Sequence, residues 1–200
     1  MDHYFTNNEN LKSNIKVVNY SYNEYDFSFY VDNGVFSKTR IDYGSKVLLE
    51  TYLKNEKEKK KVLDLGCGYG FLGIVIAKAT GSEVTMCDVN KRALHLAKMN
   101  ASENKVDFKI LESNVYESIN DKFDVIITNP PVRAGKKVLL EFLENAKDHL
   151  NKDGTLYYVL RKDHGAKSMQ KYLEKYYKIT ILEKSNGFYI FSCKSLLTST

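Results

Sequence analysis

The fold is decided by a stretch in the first half of the chain, which reads Val62-Leu63-Asp64-Leu65-Gly66-Cys67-Gly68-Tyr69-Gly70-Phe71-Leu72-Gly73. It joins a short apolar run typical of a buried strand to a glycine-rich loop and then to the start of a helix. Glycine has no Cβ atom, so a ligand can approach the backbone of such a loop closely. Because open α/β sheets bind ligands at the carboxyl ends of their strands, the stretch predicts a ligand-binding loop at that edge.

The rest of the sheet follows from the alternation of short β-type runs with helical patterns after residue 60. Predicted strands occupy residues 62–65, 83–88, 108–111, 123–128, 155–160, 179–182 and 188–191, and predicted helices occupy 90–102, 137–150 and 166–176. We expect Gly154 to end the helical pattern of residues 137–150 before the strand 155–160. The turn Ser185-Asn186-Gly187 joins the last two strands, and an Asn-Gly turn is typical of an antiparallel hairpin. The sequence therefore predicts an α/β fold with a mostly parallel sheet, helices on both faces and an antiparallel last strand.

The first 55 residues predict a small N-terminal β/α extension, with strands at 15–20 and 26–31 and a helix at 42–54. The charged run 56–61 follows, either as a solvated connector or as a patch that contacts RNA. We therefore divide the chain into an extension, residues 1–55, packed on a sheet domain, residues 56–200, within a single globular unit.

Composition restricts the class of protein. The three cysteines and four histidines lack metal-ligand spacing, so no metal site is expected. No apolar run approaches the roughly 20 residues of a membrane-spanning helix, and the polar start has no signal-peptide region, which predicts a cytoplasmic protein without a membrane partner. The net charge of +5 favours polyanionic partners only weakly.

Two acidic residues narrow the choice of ligand. Residues 68–73 satisfy the dinucleotide pattern GxGxxG, which by itself is weak support for such a site. Asp88 ends the second strand of the sheet, where an acid can accept hydrogen bonds from ribose hydroxyls of either NAD or S-adenosylmethionine; alternatively, it caps the following helix. Asp64 disfavours a pyrophosphate and suits a cationic amino-acid and sulfonium ligand, which favours S-adenosylmethionine.

The only two prolines of the chain, Pro130 and Pro131, follow Asn129 at the end of the strand 123–128. Two consecutive prolines end a strand and stiffen the backbone that follows it. The segment is either a plain strand-ending turn or a rigid set of acceptors that grips a planar amino group.

Together these motifs resemble a known family. Residues Asp64 to Gly70 resemble the cofactor motif of class I S-adenosylmethionine-dependent methyltransferases, and Asn129-Pro130-Pro131-Val132 resembles their amino-group methylation motif. With Ser113-Asn114-Val115, the continuation to Lys136 and the segment 36–44, nearly the whole chain resembles the small-domain methyltransferases related to ribosomal RNA guanine-N2 methyltransferase C. The resemblance implies the Rossmann-like class I methyltransferase fold, with seven strands and an antiparallel last strand.

The resemblance also implies site residues. Asp88 would bind the ribose diol, and Asn114, where many relatives carry an aspartate, would lie near the adenine. The implied cofactor contacts are Asp64, Gly66, Cys67, Gly68, Gly70, Asp88, Val89, Asn114, Val115 and Asn129. The implied substrate contacts are Pro131, Val132, Arg133, Lys136 and Lys38.

An exocyclic purine amine is a poor nucleophile because its lone pair is delocalised into the ring. The Asn129 side-chain oxygen and the Pro130 carbonyl are the candidate catalytic groups, since acceptors on both N–H groups would orient that lone pair. Relatives often carry an aromatic residue at the position of Val132, so a stacking residue must come from elsewhere, with Tyr43, Phe36 and Phe188 as candidates. A base inside folded RNA must also be exposed or flipped.

Three functions remain open at the level of sequence. The favoured one is methylation of guanine N2 in ribosomal RNA, with ribosomal RNA or a ribosomal subunit as partner. The second is methylation of a protein glutamine or another nucleobase amine. The third is a non-catalytic module that binds RNA or protein. The sequence does not fix the oligomeric state.

Overall fold

A computed structural model describes residues 12–35 and 40–196 of the chain. The elements in chain order are β1 (Lys16–Tyr22), β2 (Tyr25–Val31), α1 (Tyr43–Asn55), β3 (Lys61–Leu65), α2 (Phe71–Thr80), β4 (Glu83–Asp88), α3 (Lys91–Glu103), β5 (Lys109–Glu112), β6 (Phe123–Thr128), α4 (Lys136–Glu144), β7 (Leu150–Arg161), α5 (Ala166–Leu173), β8 (Tyr177–Ser185) and β9 (Phe188–Ser195). Short 3-10 helices cover Val132–Ala134, Asn145–His149 and Lys162–His164.

Seven strands form the main sheet, in the order β5-β4-β3-β6-β7-β9-β8. The four neighbouring pairs from one end of the sheet, β5–β4, β4–β3, β3–β6 and β6–β7, are all parallel. Strand β9 runs antiparallel to both of its neighbours, β7 and β8. The turn between β8 and β9 has positive φ at Asn186 and Gly187, as the Asn-Gly hairpin requires. The predicted fold class is therefore confirmed.

The strand order reverses between β3 and β6. Doubly wound sheets bind their ligands at such a reversal of the strand order.

The alternation of side chains along β3 divides the core into two layers. Val62 packs with α1, α2 and α3 on one face, whereas Leu63 and Leu65 pack with α4 and α5 on the other. Each of these three β3 side chains is at most 1% exposed. Helices cover both faces, as the sequence predicts.

The β1–β2 hairpin packs on the first of these layers. Phe29 makes edge contacts with Tyr69 and Phe71, which flank the end of the glycine loop. Asn100 of α3 is fully buried; its side chain accepts a hydrogen bond from Tyr30 N (2.7 Å) and donates to Tyr30 O (3.0 Å) and Tyr69 O (2.8 Å). The hairpin is thus tied to the backbone of the loop through one side chain. The division of the chain at residue 55 remains a prediction.

Helix α4 and strand β7 differ from the predicted boundaries. The helix predicted over 137–150 ends at Glu144 and continues as a 3-10 helix. The reason is the buried Tyr177 hydroxyl, which donates to Leu143 O (2.7 Å) and accepts from Lys147 N (2.9 Å), the two groups that an α-helix would pair with each other. An inserted hydroxyl therefore takes the place of one helical hydrogen bond.

Gly154 does not end the pattern before the strand, because β7 runs through it from Leu150 to Arg161. The pairing of β6 with β7 is irregular between Phe123 and Val125, and a Cβ atom at Gly154 would lie 2.8 Å from Asn151 O. The glycine thus allows close backbone approach inside an irregular strand. The last helix also ends earlier than predicted, at Leu173, because β8 already begins at Tyr177.

Candidate active site

The glycine loop connects the carboxyl end of β3 to α2, beside the point where the strand order reverses. Gly68 and Gly70 have φ values of +55° and +96°, which side chains other than glycine rarely adopt. A Cβ atom on Gly70 would lie 2.8 Å from Ile74 Cδ1, whereas one on Gly68 would meet nothing within 4 Å. The loop is therefore packed tightly at Gly70 and open at Gly68. Gly66 and Cys67 complete it, with Cys67 N donating to Cys87 O at 2.9 Å.

Asp64 lies beneath this loop, with its side chain directed toward α2. It is 1% exposed, and its Oδ2 accepts a hydrogen bond of 2.9 Å from Gly73 N in the first turn of that helix. Burial raises the pKa of Asp64 to about 7; the bond from Gly73 opposes this shift, and the nearby Asp88 carboxylate adds to it. Asp64 thus supports the start of α2 through Gly73 N and supplies negative potential beneath the loop in its ionised form.

Asp88 joins the end of β4 to the glycine loop. Its Oδ2 accepts from Gly68 N and its Oδ1 from Asn90 N, both at 2.9 Å. Burial raises the pKa of Asp88, although these backbone N–H groups act in the opposite direction. The alternative that Asp88 caps α3 is wrong, because the N-cap is Asn90, whose side chain accepts from Ala93 N. Val89, half-buried, connects the two residues.

Asn114 and Val115 follow β5 at the same edge of the sheet. Val115 is 5% exposed and has φ of +52°, unusual for a β-branched residue, and the Ser113 hydroxyl donates to its carbonyl at 2.8 Å. Asn114 Oδ1 is buried and has no hydrogen-bond partner among residues 12–35 and 40–196. A buried acceptor without a donor costs roughly 1–3 kcal/mol, so a ligand N–H group would be favourable here.

Asn129, after the end of β6, is held by the beginning of α1. Its Nδ2 donates to Asp42 Oδ2 at 3.0 Å and to Ser45 Oγ at 2.9 Å. Asp42 is also the N-cap of α1, because the same Oδ2 accepts from Ser45 N at 2.9 Å. No hydrogen bond to Asn129 Oδ1 is formed within the described part of the chain.

The two prolines end the strand and begin a 3-10 helix. Pro131 O accepts from Ala134 N at 3.0 Å, whereas the carbonyl of the buried Pro130 accepts no hydrogen bond from the residues that the structure describes. The segment is thus a strand-ending turn in which the Pro130 carbonyl and Asn129 Oδ1, adjacent in the chain, have no hydrogen-bond partner among the residues that the structure describes.

The substrate residues predicted after the prolines lie in different environments. Val132 is half-buried and packs on the α4 side of the core, while Arg133 is exposed in the 3-10 helix. Lys136 is exposed and is the first residue of α4, so it does open a helix. Lys38 and the stacking candidate Phe36 lie outside the described residues.

The other two stacking candidates are in contact. The Tyr43 and Phe188 rings lie 5.7 Å apart between centroids, and Arg161 Cζ lies 5.3 Å from the centroid of Phe188. Tyr43 directly follows Asp42, and a Cβ atom on Gly44 would lie 2.7 Å from the Phe188 ring. This aromatic pair therefore borders the residues that hold Asn129, and Tyr43 is 42% exposed.

Sequence reasoning missed Asp42 and Ser45 as parts of the site. The available signal was an Asp followed three residues later by Ser at the start of a helical pattern, which indicates a cap and nothing further.

Among the described residues, no group of three or more His, Cys, Asp or Glu side chains could hold a metal ion. None of the helices in 12–35 and 40–196 is long and apolar enough to cross a membrane.

A seven-stranded sheet with an antiparallel β9, a glycine loop after β3 and an acid at the end of β4 define the class I methyltransferase fold. The methyltransferase small domain family matches the chain over residues 26–192. The chain belongs to this family. Its members use S-adenosylmethionine, so the predicted family and the predicted cofactor are confirmed.

Two curated relatives differ in how much of their length the chain covers. The uncharacterized protein YbxB of Bacillus subtilis is 36% identical over 200 residues, which are 98% of this chain and 99% of that protein. Ribosomal RNA small subunit methyltransferase C of Haemophilus influenzae is 41% identical over 136 residues, 66% of this chain but only 41% of its own length.

Among solved structures, the 16S rRNA N2-guanine methyltransferase RsmC of Thermus thermophilus, in complex with AdoMet and guanosine, superposes with a TM-score of 0.82. It is 25% identical in sequence, and the match covers 92% of this chain and 52% of that one. The chain thus spans about half the length of this relative.

Proposed function

We propose that this protein transfers the methyl group of S-adenosylmethionine to an exocyclic amino group, and that the group is N2 of guanine in ribosomal RNA. The observation that carries the first part is the orientation of Asn129, whose amide donors are engaged and whose oxygen is available. The second part is supported by the similarity to the two methyltransferases named for ribosomal RNA.

The residues at the strand ends fit the cofactor. S-adenosylmethionine supplies an electrophilic methyl group on a sulfonium centre. The orphaned Asn114 Oδ1 would accept from the adenine amino group, and the Asp88 carboxylate from the ribose diol. Asn and Asp both offer an oxygen at that side-chain position, so Asn114 can act where many relatives have aspartate. The open space at Gly68 admits the ligand, and the buried Asp64 and Asp88 favour its positive charge.

The catalytic groups act by position and electrostatics. Asn129 Oδ1 and the Pro130 carbonyl would each accept a hydrogen bond from one N–H of the amino group. These two bonds would draw the nitrogen lone pair out of conjugation with the ring and orient it toward the methyl group. Groups aimed at developing charge in this way need no reorganisation during the reaction. A strong general base is unnecessary, because the nitrogen becomes acidic once it carries the methyl group.

The surroundings of Asn129 suit a nucleotide. The Tyr43–Phe188 pair would supply the stacking surface that Val132 does not, and stacking on aromatic rings is sequence-tolerant and strong in nucleic-acid binding. The exposed Arg133 and Lys136 follow the prolines and would contact phosphate or base. Arg161 Nε donates to Asp163 Oδ1 at 2.9 Å, so the charge of Arg161 is balanced by Asp163. Its role here would be to pack on the Phe188 ring and not to attract phosphate.

The test has two stages. Calorimetry with S-adenosylmethionine comes first, and absence of binding would favour the non-catalytic module. Transfer of labelled methyl groups to small ribosomal subunits, free ribosomal RNA and protein release factors then decides the acceptor, with nuclease digestion and mass spectrometry to locate the label. We expect N2-methylguanosine; label only in protein would favour glutamine, and label on another base would favour a different nucleobase amine.

Asn129→Ala provides the diagnostic variant. Its cofactor affinity should stay close to that of the wild type, while the transfer rate should fall by about 100-fold, the usual effect of losing one oriented transition-state contact. Asn151→Ala, at the opposite edge of the sheet where Asn151 donates to Asp124, is the matched control and should keep both properties. An unimpaired transfer rate in Asn129→Ala would remove this residue from the mechanism.

A further inference from the structure

The Asn129 amide is held by a segment that lies far away in the sequence. Its partners Asp42 and Ser45 precede it by 87 and 84 residues and belong to the first turn of α1. An amide nitrogen carries two hydrogens, and the two bonds of 3.0 and 2.9 Å use both of them. Asn129 therefore has no donor left for a ligand.

The chemistry of Asp42 selects this orientation. An ionised carboxylate can only accept hydrogen bonds, so it requires the NH₂ end of the amide on its side. If the amide were turned by 180°, its oxygen would lie against Asp42 Oδ2 at the distance now occupied by a hydrogen bond. Two acceptors in contact repel each other, whereas the Ser45 hydroxyl can either accept from the amide nitrogen or donate to the amide oxygen, so Asp42 decides the orientation and Ser45 holds it in place.

We propose that Asp42 and Ser45 are positioning residues for Asn129: they fix its amide so that the oxygen, and not the nitrogen, faces the methyl acceptor. This inference rests on the proposed function, because it assigns a cause to the acceptor character of the group that grips the amine. It also explains why the N-cap of α1 lies at the carboxyl edge of the sheet, next to the strand that ends at Thr128.

The two positioning residues have separable effects. Asp42 Oδ2 serves two donors, Ser45 N and Asn129 Nδ2, so its removal affects the cap of α1 as well as the site. The Ser45 hydroxyl contacts Asn129, whereas the capping bond uses only the Ser45 backbone. Ser45→Ala therefore changes the anchor of Asn129 and leaves the cap in place.

The first experiment compares Ser45→Ala with Ser45→Thr, which keeps the hydroxyl. In Ser45→Ala we expect kcat to fall by roughly 3- to 10-fold, the effect of one hydrogen bond, with unchanged cofactor affinity and a thermal midpoint lowered by no more than about 4 °C. Ser45→Thr should recover more than half of the lost rate. The matched control is Ser168→Ala, an exposed serine at the start of α5, which should not change kcat.

The second experiment exchanges the partners. Asn129→Asp sets two carboxylates against each other at about the present hydrogen-bond distance and should reduce transfer strongly. In Asp42→Asn/Asn129→Asp only one carboxylate remains, so the repulsion is removed, and the amide at position 42 can donate to that carboxylate at the expense of the bond that Oδ2 now accepts from Ser45 N. One carboxylate oxygen at position 129 is then left for the amine. We expect the double variant to transfer at least about 10-fold faster than Asn129→Asp alone, a coupling typical of contacting pairs.

A measurement without turnover completes the test. In ¹⁵N-labelled protein, the Asn129 side-chain amide, assigned by its loss in Asn129→Ala, should exchange its hydrogens faster in Ser45→Ala than in the wild type. The positioning role would be overturned, with the proposed function left standing, by either of two results. One is a Ser45→Ala variant whose amide hydrogen exchange and kcat equal those of the wild type. The other is a double variant that transfers methyl groups no faster than Asn129→Asp. Absence of transfer by the wild type to any amino acceptor would instead overturn the proposed function, and the positioning role with it.

Discussion

The hydrogen bonds of Asn100 make a quantitative prediction about how the N-terminal hairpin supports the cofactor loop. Its fully buried side chain makes two bonds to the Tyr30 backbone and one to Tyr69 O. Asn100→Ala removes all three and leaves the Tyr69 carbonyl buried without this donor. At about 1 kcal/mol for each net hydrogen bond, we expect a loss of about 3 kcal/mol in the free energy of unfolding.

For a protein of this size, that loss corresponds to a decrease of about 6–12 °C in Tm. Urea unfolding followed by circular dichroism should show a lower midpoint with an unchanged m-value, because the surface exposed on unfolding is the same. Calorimetry should show weaker binding of S-adenosylmethionine as well, since Tyr69 belongs to the glycine loop.

Asn104→Ala is the matched control. Asn104, the C-cap of α3, also bonds the hairpin backbone, with Ser28 N at 3.1 Å and Ser28 O at 2.9 Å, but it makes no bond to the glycine loop. This variant should lose stability while keeping its cofactor affinity. The reasoning would be refuted if Asn100→Ala were as stable as the wild type, or if both variants weakened cofactor binding equally.

Four further predictions concern the site itself. Asp88→Ala should weaken cofactor binding by roughly 10- to 100-fold, because hydrogen bonds to a charged group are lost; an unchanged Kd in calorimetry would exclude the ribose contact. Because the pKa of Asp64 is raised to about 7, the affinity for the cationic cofactor should increase as pH rises from 6 to 8, and Asp64→Asn should flatten that dependence. The same shift makes the folded protein hold this proton more tightly than the unfolded chain, so Asp64 should cost stability as pH rises from about 4 to about 7, measurable by urea unfolding. Tyr43→Ala should raise the KM for RNA several-fold without changing the Kd of the cofactor, and an unchanged KM would remove Tyr43 from the stacking surface.

Most of the fold could be predicted because its signals are local. Strand periodicity, glycine position and the Asn186-Gly187 turn act over a few residues, and the strands, both helix layers and the final hairpin follow from them. The end of α4 could not be predicted, because the Tyr177 hydroxyl that interrupts it comes from a different strand. The passage of β7 through Gly154 depends equally on the backbone of its neighbour β6.

The sequence by itself determined the two motifs of the site. The glycine loop with its acids and the Asn-Pro-Pro segment are each contiguous, and their chemistry depends on residue type and spacing. Only the tertiary structure decided which way the Asn129 amide faces, because its partners Asp42 and Ser45 lie at the start of α1, 87 and 84 residues earlier in the chain. In the sequence Asp42 is only the first residue of a predicted helix, and only folding brings its carboxylate both to the N-terminus of α1 and to the Asn129 amide, since hydrogen bonds between distant segments leave no periodic trace in the chain.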